Sequence, residues 1–272
     1  MPTPEASSID STARAHHVAA PVESADGPEL PQYSVAKVLA IWAAAAVPMA
    51  LLAWVVTPVV AGGDAPEGRF ATVLIAALTG GLVWQAVLVL GLVAHEQRSL
   101  RWPVLRDALW LRAPSDDRGR RGGRLWWWVA VFALGFFLVQ LVPTGLPEPS
   151  DRSLGAFLAS TEGQEHFSGA WGLFALVVVM MTFNSFLGEE LLFRGLLLPR
   201  MRGAFGRRDR MVDALLTGLY HLHQPWSMPG AVLAGALFAY PSRRFRSAWM
   251  GIAIHSTQSV VLLVVIGTLV LR

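Results

Sequence analysis

Residues 187–195 read LGEELLFRG, and they follow an apolar run that covers residues 171–187. A run of this length, which can continue through the next apolar residues, predicts a helix that crosses a membrane. Glu189, Glu190 and Arg194 therefore lie where a membrane helix ordinarily carries no charge. Charged groups inside a bilayer are costly, and they persist mostly where they face protein or water and serve a function. The stretch thus predicts both a membrane fold and a functional site.

The composition supports a membrane protein. Of the 272 residues, 54% are hydrophobic and only 15% are charged, whereas an ordinary soluble domain is about 25% charged. Cysteine is absent, which excludes disulfides and thiolate chemistry. The net charge of +3 arises largely from arginine clusters beside apolar runs. Because these clusters form no long basic face, we expect the bilayer and no nucleic acid as a partner.

The chain divides into a tail and a domain. Residues 1–32 are rich in Pro, Ser, Ala and Glu and lack periodicity, which predicts a disordered cytoplasmic tail. Residues 33–272 are expected to form one membrane-embedded domain. Seven apolar runs cover residues 35–61, 70–94, 125–142, 171–187, 211–222, 229–240 and 248–271. They predict an all-α, polytopic membrane helix bundle with about seven transmembrane helices. The fifth and sixth runs are shorter than the about 20 residues of a span, and we interpret them as helices buried among others.

Arginine counts predict the orientation of the domain. Arginines concentrate in the predicted loops 95–124, 199–210 and 241–246. The loops 62–69 and 143–170 contain one arginine each and several acids. Positively charged loops usually lie in the cytoplasm. We therefore expect a multi-pass protein of the cell membrane with a cytoplasmic N-terminus and an outward C-terminus.

Ionisable residues of three predicted helices lie at similar depth. They are Glu189, eleven residues before Arg200; His221, eleven residues after Arg210; and His255, nine residues after Arg246. At 1.5 Å per helical residue, these positions lie roughly 14–17 Å from the basic loops. Polar residues scattered by chance would not align in this way, so the sequence predicts that the three side chains share a site.

Helical spacing suggests different roles for the two glutamates. Glu190 and Arg194 are four residues apart and can pair on one helix face, which lowers the cost of burying both. Glu189 is rotated by about 100° from its neighbour and has no partner in its own helix. A carboxylate left in a partly apolar pocket suits a general base or acid. The alternative is that both glutamates form only a structural cluster with Arg194.

The histidines leave further alternatives open. His221 and His223 are two residues apart and would point in nearly opposite directions on one helix, unless the proline that follows them ends the helix. His223 is then either a second site residue or an interfacial histidine. His255 shares its helix face with Gln258 and Ser259, whose side chains can donate hydrogen bonds beside it. A polar contact between helices is the alternative for His255.

Three motifs in this order resemble a known family. EELLFRG at 189–195 matches the E-E-x-x-x-R signature of the CPBP (Abi) intramembrane proteases, which include the CAAX prenyl endopeptidases. TGLYHLH at 217–223 is similar to the second motif, usually F-x-x-x-H. SAWMGIAIHSTQS at 247–259 resembles the third, whose histidine is usually followed by asparagine three or four residues on. The likeness covers about residues 95–271, with the core motifs in 187–259.

The resemblance implies an endopeptidase that hydrolyses a peptide bond of a membrane-associated protein or peptide. In the family pattern, Glu189 activates a water, His221 binds or orients that water, and His255 helps to stabilise the oxyanion. Glu190 and Arg194 support the site. We expect the substrate to reach this site from the cytoplasmic side.

Two departures from the family pattern bear on activity. Thr217 stands where Phe is usual, and the asparagine after His255 is missing, with Gln258 or Ser259 in its place. Either side chain donates a hydrogen bond, but with a different reach. The missing asparagine keeps open a non-catalytic membrane partner or immunity-type protein. A proton-coupled transporter could use the same buried acids and histidines, although the sequence shows no obvious internal repeat.

The metal requirement also has two interpretations. Glu189, His221 and His255 could supply the two-His, one-carboxylate set that zinc accepts. The sequence contains no H-E-x-x-H, however, and a zinc site with Glu189 as a ligand would need another base. We therefore expect a metal-independent glutamate mechanism, with zinc as the alternative cofactor.

Overall fold

The computed structural model describes residues 30–142, 146–147, 149 and 152–272. These residues form helices and no β-strand. The helices are α1 (Val35–Ala61), α2 (Glu67–Gln97), α3 (Trp102–Ala108), α4 (Trp127–Gln140), α5 (Leu154–Ala159), α6 (Thr161–Phe167), α7 (Trp171–Arg200), α8 (Asp209–Tyr220), α9 (Met228–Arg244) and α10 (Ala248–Val270). The predicted disordered tail covers residues 1–32, of which residues 1–29 lie outside the described residues. Leu30 packs against the core, and the Gln32 side chain hydrogen-bonds to Pro199 and Gly203.

The expectation of an all-α, polytopic membrane helix bundle is confirmed. Among the described helices, five are long and apolar enough to cross a membrane, namely α1, α2, α4 with the 3₁₀ turn Gly123–Trp126 before it, α7 and α10. The other two expected spans are α8 and α9, which are shorter than the about 20 residues that a crossing requires. They form a hairpin whose two ends meet, because Arg243 near the end of α9 pairs with Asp209 at the start of α8 at 2.9 Å.

The outer surface of the long helices is apolar, as contact with lipid requires. Large hydrophobic side chains of α4 and α10 are more than half exposed, for example Val131, Leu134, Val260 and Val264. A soluble domain would bury such side chains. The exposed apolar surface is of the kind that a membrane helix presents to lipid.

The three arginine-rich loops lie together on one face. Ion pairs and hydrogen bonds join them, namely Arg244–Asp117 at 2.9 Å, Arg243–Asp209 at 2.9 Å, Arg200–Glu96 at 3.1 Å and Ser115 N to Phe245 O at 2.9 Å. We call this surface the arginine-rich face. Its formation agrees with the prediction that these loops share one side of the membrane.

Small residues allow α8 and α9 to approach closely. A Cβ atom at Gly235 would lie 3.0 Å from the Ala214 carbonyl oxygen and 3.1 Å from Thr217 Cβ. Thr217 is buried in this contact. A larger side chain at this position would meet α9.

Candidate active site in the membrane core

Two π-helical segments of α7, Phe183–Leu187 and Leu191–Leu197, flank the glutamate pair. At the first of them, the Gly188 N–H donates to the Phe183 carbonyl oxygen five residues earlier, at 2.6 Å. Each π turn changes the rotation of the residues that follow it, and such turns are frequent at functional sites. A Cβ atom at Gly188 would also lie 2.9 Å from the Leu82 carbonyl oxygen. The glycine therefore lets α2 approach α7 beside the glutamates.

Glu190 is held by two partners. Its Oε1 atom lies 3.4 Å from Nη1 of Arg194 and 3.1 Å from Nδ1 of His255. All three side chains are buried. The predicted pairing of Glu190 with Arg194 is thus present. Because a carboxylate only accepts hydrogen bonds, Nδ1 of His255 is the donor, and Glu190 joins α7 to α10.

Arg194 also contacts the α8–α9 hairpin. Its Nη2 atom donates to the Gly235 carbonyl oxygen at 3.1 Å, and its Nε atom lies 3.5 Å from Oδ2 of Asp213. Asp213 is fully buried and was not among the residues singled out from the sequence. A sequence signal existed, since Asp213, Thr217 and His221 are successively four residues apart and share one face of a helix.

Glu189 is buried, with an exposed fraction of 3%. Among the described residues it forms no hydrogen bond or ion pair. One of its carboxylate oxygens lies within 4.8 Å of potential ligand atoms of Glu190 and His255. The structure thus pairs one glutamate of the motif and leaves the other available to a molecule in the cavity.

The two histidines of the second motif lie side by side. Helix α8 ends at Tyr220, and a 3₁₀ turn, His221–His223, follows. The expectation that the two rings point in opposite directions holds only for a regular helix; here they stack with centroids 5.4 Å apart. Nδ1 of His221 donates to the Thr217 carbonyl oxygen at 2.9 Å. Nε2 of a neutral His221 therefore carries a free lone pair.

The residues predicted from three helices line one cavity of about 440 Å³. They are Glu189, His221, His223, His255 and Gln258. Ser259 is buried and does not belong to this lining. Of the two residues that could replace the missing asparagine, the structure therefore brings only Gln258 to the cavity.

Asn184 is a cavity residue that sequence reasoning missed. Its Nδ2 atom lies 3.2 Å from Nε2 of His255, and its side chain lines the cavity. In a regular α-helix, Asn184 would be rotated by about 140° from Glu189, five residues later. The π-helical turn between them brings residues five apart nearly into line. The available signal was an amide within an apolar membrane run.

The cavity extends to the end of the bundle opposite the arginine-rich face. Its lining includes Glu67 and Phe70 at the start of α2, about 45 Å along that helix from Gln97. It also includes Arg152, whose guanidinium lies 4.6 Å from the centroid of the Trp54 ring. None of the described residues in the arginine-rich loops lines it. This shape contrasts with the access expected from the sequence, which was from the side of those loops.

The alternative zinc set of Glu189, His221 and His255 is not found among the described residues as atoms close enough to share an ion. Among the described residues, the potential ligand atoms that lie within 4.8 Å of one another belong to Glu189, Glu190 and His255, and His221 is not among them. Oε1 of Glu190 already contacts Arg194 and accepts from His255. Zinc requires unprotonated nitrogen ligands, usually within a set of four protein atoms or three plus water. With the hydrogen on Nδ1, the nitrogen of His255 that a metal could take is Nε2, which Nδ2 of Asn184 contacts at 3.2 Å.

A membrane helix bundle with buried carboxylates and histidines around an internal cavity has the features of an intramembrane peptidase. Residues 170–261 match a family model described as type II CAAX prenyl endopeptidase, Rce1-like. The match covers about a third of the chain and contains all three motifs. Over these residues the chain is similar to the CAAX-protease-like family, whose general role is that of an intramembrane protease. No curated protein and no solved structure matches the chain.

Proposed function

We propose that this protein is a metal-independent intramembrane endopeptidase that hydrolyses a peptide bond of a membrane-associated protein or peptide. The observation that carries the proposal is that Glu189 is buried without an ion-pair partner among the described residues. This carboxylate is buried at the cavity, and no described residue neutralises it by an ion pair. A buried acid of this kind is costly unless it serves a function, and a water held beside it would be a ready nucleophile.

The proposed reaction begins with a water held between Glu189 and His221. Glu189 accepts one proton of the water while its oxygen attacks the carbonyl carbon of the substrate. The lone pair on Nε2 of His221 accepts a hydrogen bond from the second hydrogen and orients the attacking oxygen. The proton on Glu189 then passes to the amide nitrogen as the carbon–nitrogen bond breaks. Such general acid–base transfer contributes typically about 10²–10⁴-fold to rate.

The remaining motif residues hold the helices in register. Glu190 connects α7 with α10 through His255, and Arg194 connects α7 with the hairpin through Asp213 and Gly235. Catalytic groups must be placed within a fraction of an ångström, and misplacement by 1 Å can cost about 10²-fold in rate. We assign this buried network to positioning.

The size of the cavity restricts the form of the substrate. A volume of about 440 Å³ is typical of pockets for small ligands, whereas a helix with its side chains is about 10–12 Å wide. A short extended segment therefore fits better than an intact transmembrane helix. We propose that the cleaved segment is extended, or unwinds, as it enters the site.

The proposed orientation places the cavity mouth on the outer side of the membrane. If the arginine-rich face is cytoplasmic, the mouth near Glu67 and Arg152 faces outward in the cell membrane. The substrate would then arrive from the outer side or from the outer leaflet. An exported or membrane-inserted polypeptide can reach the cavity from that side even if none of it remains in the cytoplasm.

The proposal is tested in cells that produce either the wild-type protein or Glu189→Gln at equal levels. The termini of membrane proteins and released peptides are compared by mass spectrometry. New termini that occur only with the wild-type protein support an endopeptidase. Identical termini in both strains, together with full biological function of Glu189→Gln, would favour the non-catalytic alternative that the missing asparagine keeps open.

A further inference from the structure

We propose that Asn184 is a catalytic residue whose amide donates a hydrogen bond to the oxyanion. It would thus take the role of the asparagine that is missing from the last helix. The inference rests on the proposed peptidase function and concerns the same cavity. When water adds to the substrate carbonyl, the carbonyl oxygen becomes negatively charged. Asn184 would donate one N–H to that oxygen, while His255 holds the amide in place as a positioning residue.

The hydrogen-bond chain determines which atoms donate. Glu190 accepts from Nδ1 of His255 at 3.1 Å, so in the neutral ring Nε2 is an acceptor. Nδ2 of Asn184 lies 3.2 Å from that nitrogen and donates one of its two hydrogens to it. The second hydrogen of the amide remains available to a substrate in the cavity that Asn184 lines.

Preorganisation favours Asn184 over the two residues that follow His255. An oxyanion donor is effective when its position is fixed before the reaction, since no reorganisation is then needed. Gln258 lines the cavity, but its side chain forms no hydrogen bond with the described residues. Ser259 is buried away from the cavity. The amide of Asn184, in contrast, is already oriented by a buried partner, His255.

A buried carboxylate that orients a histidine, which in turn orients a third group, is a known means of fixing geometry at enzyme sites. Here the chain runs from Glu190 on α7, through His255 on α10, and back to Asn184 on α7. It therefore makes the position of the amide depend on the packing of two helices. Through this hydrogen-bond chain, Glu190 affects the position of the oxyanion donor, in addition to pairing with Arg194.

The test uses purified full-length protein and an internally quenched version of a peptide that the comparison of termini identifies as cleaved. We expect Asn184→Ala to lower kcat by about 10²–10³-fold, the usual effect of removing one oxyanion donor, with little change in KM. Asn184→Asp keeps the size of the side chain but removes its donors, and the same loss is expected. Thr182→Ala is the matched control, because Thr182 is exposed on the same helix and bonds only to the Val178 carbonyl oxygen.

A phosphinic analogue of the same peptide separates a catalytic role from a structural one. Its inhibition constant should rise across the Asn184 variants in parallel with the loss of kcat/KM, because a catalytic donor binds the transition state and not the ground state. If Asn184→Ala destabilises the fold, which thermal melting in detergent reports, Asn184→Asp decides the question. Wild-type turnover in a folded Asn184→Asp protein would overturn the inference and leave the proposed function intact. Absence of cleavage by the wild-type protein would instead overturn the proposed function.

Discussion

Nδ1 of His255 lies 3.1 Å from Oε1 of Glu190, and this contact joins the first and third motifs in the buried centre of the bundle. Glu190 therefore has a histidine and an arginine as partners, whereas the adjacent Glu189 has no such partner among the described residues. Two neighbouring carboxylates thus occupy different environments. Glu190 holds helices together, whereas Glu189 lines the cavity and can contact a molecule inside it. The following predictions rest on this difference.

We predict that Glu189→Gln lowers turnover by at least about 10²-fold, because an amide cannot accept the proton of the attacking water. The substitution keeps the size of the side chain, so thermal melting in detergent should change little. Glu165→Gln is the control, since Glu165 is exposed on α6 and does not line the cavity. Retained turnover in a folded Glu189→Gln protein would contradict the assignment of the base.

Gly251→Ala should weaken both stability and turnover. A Cβ atom at this position would lie 2.6 Å from Oε2 of Glu190 and 3.0 Å from Cγ of Arg194. Overpacking of this kind typically costs about 1–3 kcal/mol, and here it would displace the carboxylate that orients His255. Gly267→Ala on the same helix is the matched control, because its nearest contact would be 3.7 Å away. Equal melting temperatures for the two variants would disprove the predicted steric conflict.

Arg194→Met should be strongly destabilising. It would leave the buried carboxylates of Glu190 and Asp213 without their shared cation, and breaking a buried ion pair from one side costs about 3–5 kcal/mol. Addition of Glu190→Gln and Asp213→Asn should recover part of the stability, since the uncompensated charges are then gone. Unfolding in detergent measures both effects, with Arg69→Met as an exposed control. A stable single variant would show that the network carries little energy.

Removal of metal ions should not abolish cleavage. The proposed mechanism takes the nucleophile from a water held by Glu189 and His221, without a metal ion. We expect turnover to survive dialysis against a zinc chelator, with metal content measured by mass spectrometry. Loss of activity that zinc alone restores would require a metal mechanism instead.

The orientation of the cavity mouth can be measured with introduced cysteines, because the chain contains none. Glu67→Cys, at the mouth, should react with a membrane-impermeant maleimide added to intact cells. Arg118→Cys, on the arginine-rich face, should react only after the membrane is permeabilised. Both native side chains are exposed. The reverse pattern would place the mouth in the cytoplasm and restore the access that we expected from the sequence.

Contacts within one regular helix were predictable from the sequence, whereas contacts that depend on an irregular turn were not. The pair Glu190–Arg194 was predictable because residues four apart on a helix are neighbours whatever surrounds them. The stacking of His221 on His223 was not, because it requires α8 to end at Tyr220 and a tighter turn to follow. Asn184 was overlooked for a similar reason, since a π-helical turn changes the rotation between it and Glu189.

The sequence by itself determined the membrane environment, the helical class and the residues that bring charge to the membrane core, because hydrophobic runs and their arginine-rich flanks are local properties of the chain. Only the tertiary structure decided which of these residues meet. It joined Glu190 to His255, brought Gln258 and not Ser259 to the cavity, added Asn184 and Asp213, and extended the cavity to the end opposite the arginine-rich face. These outcomes depend on the rotation and packing of separate helices, which spacing along a single helix does not specify.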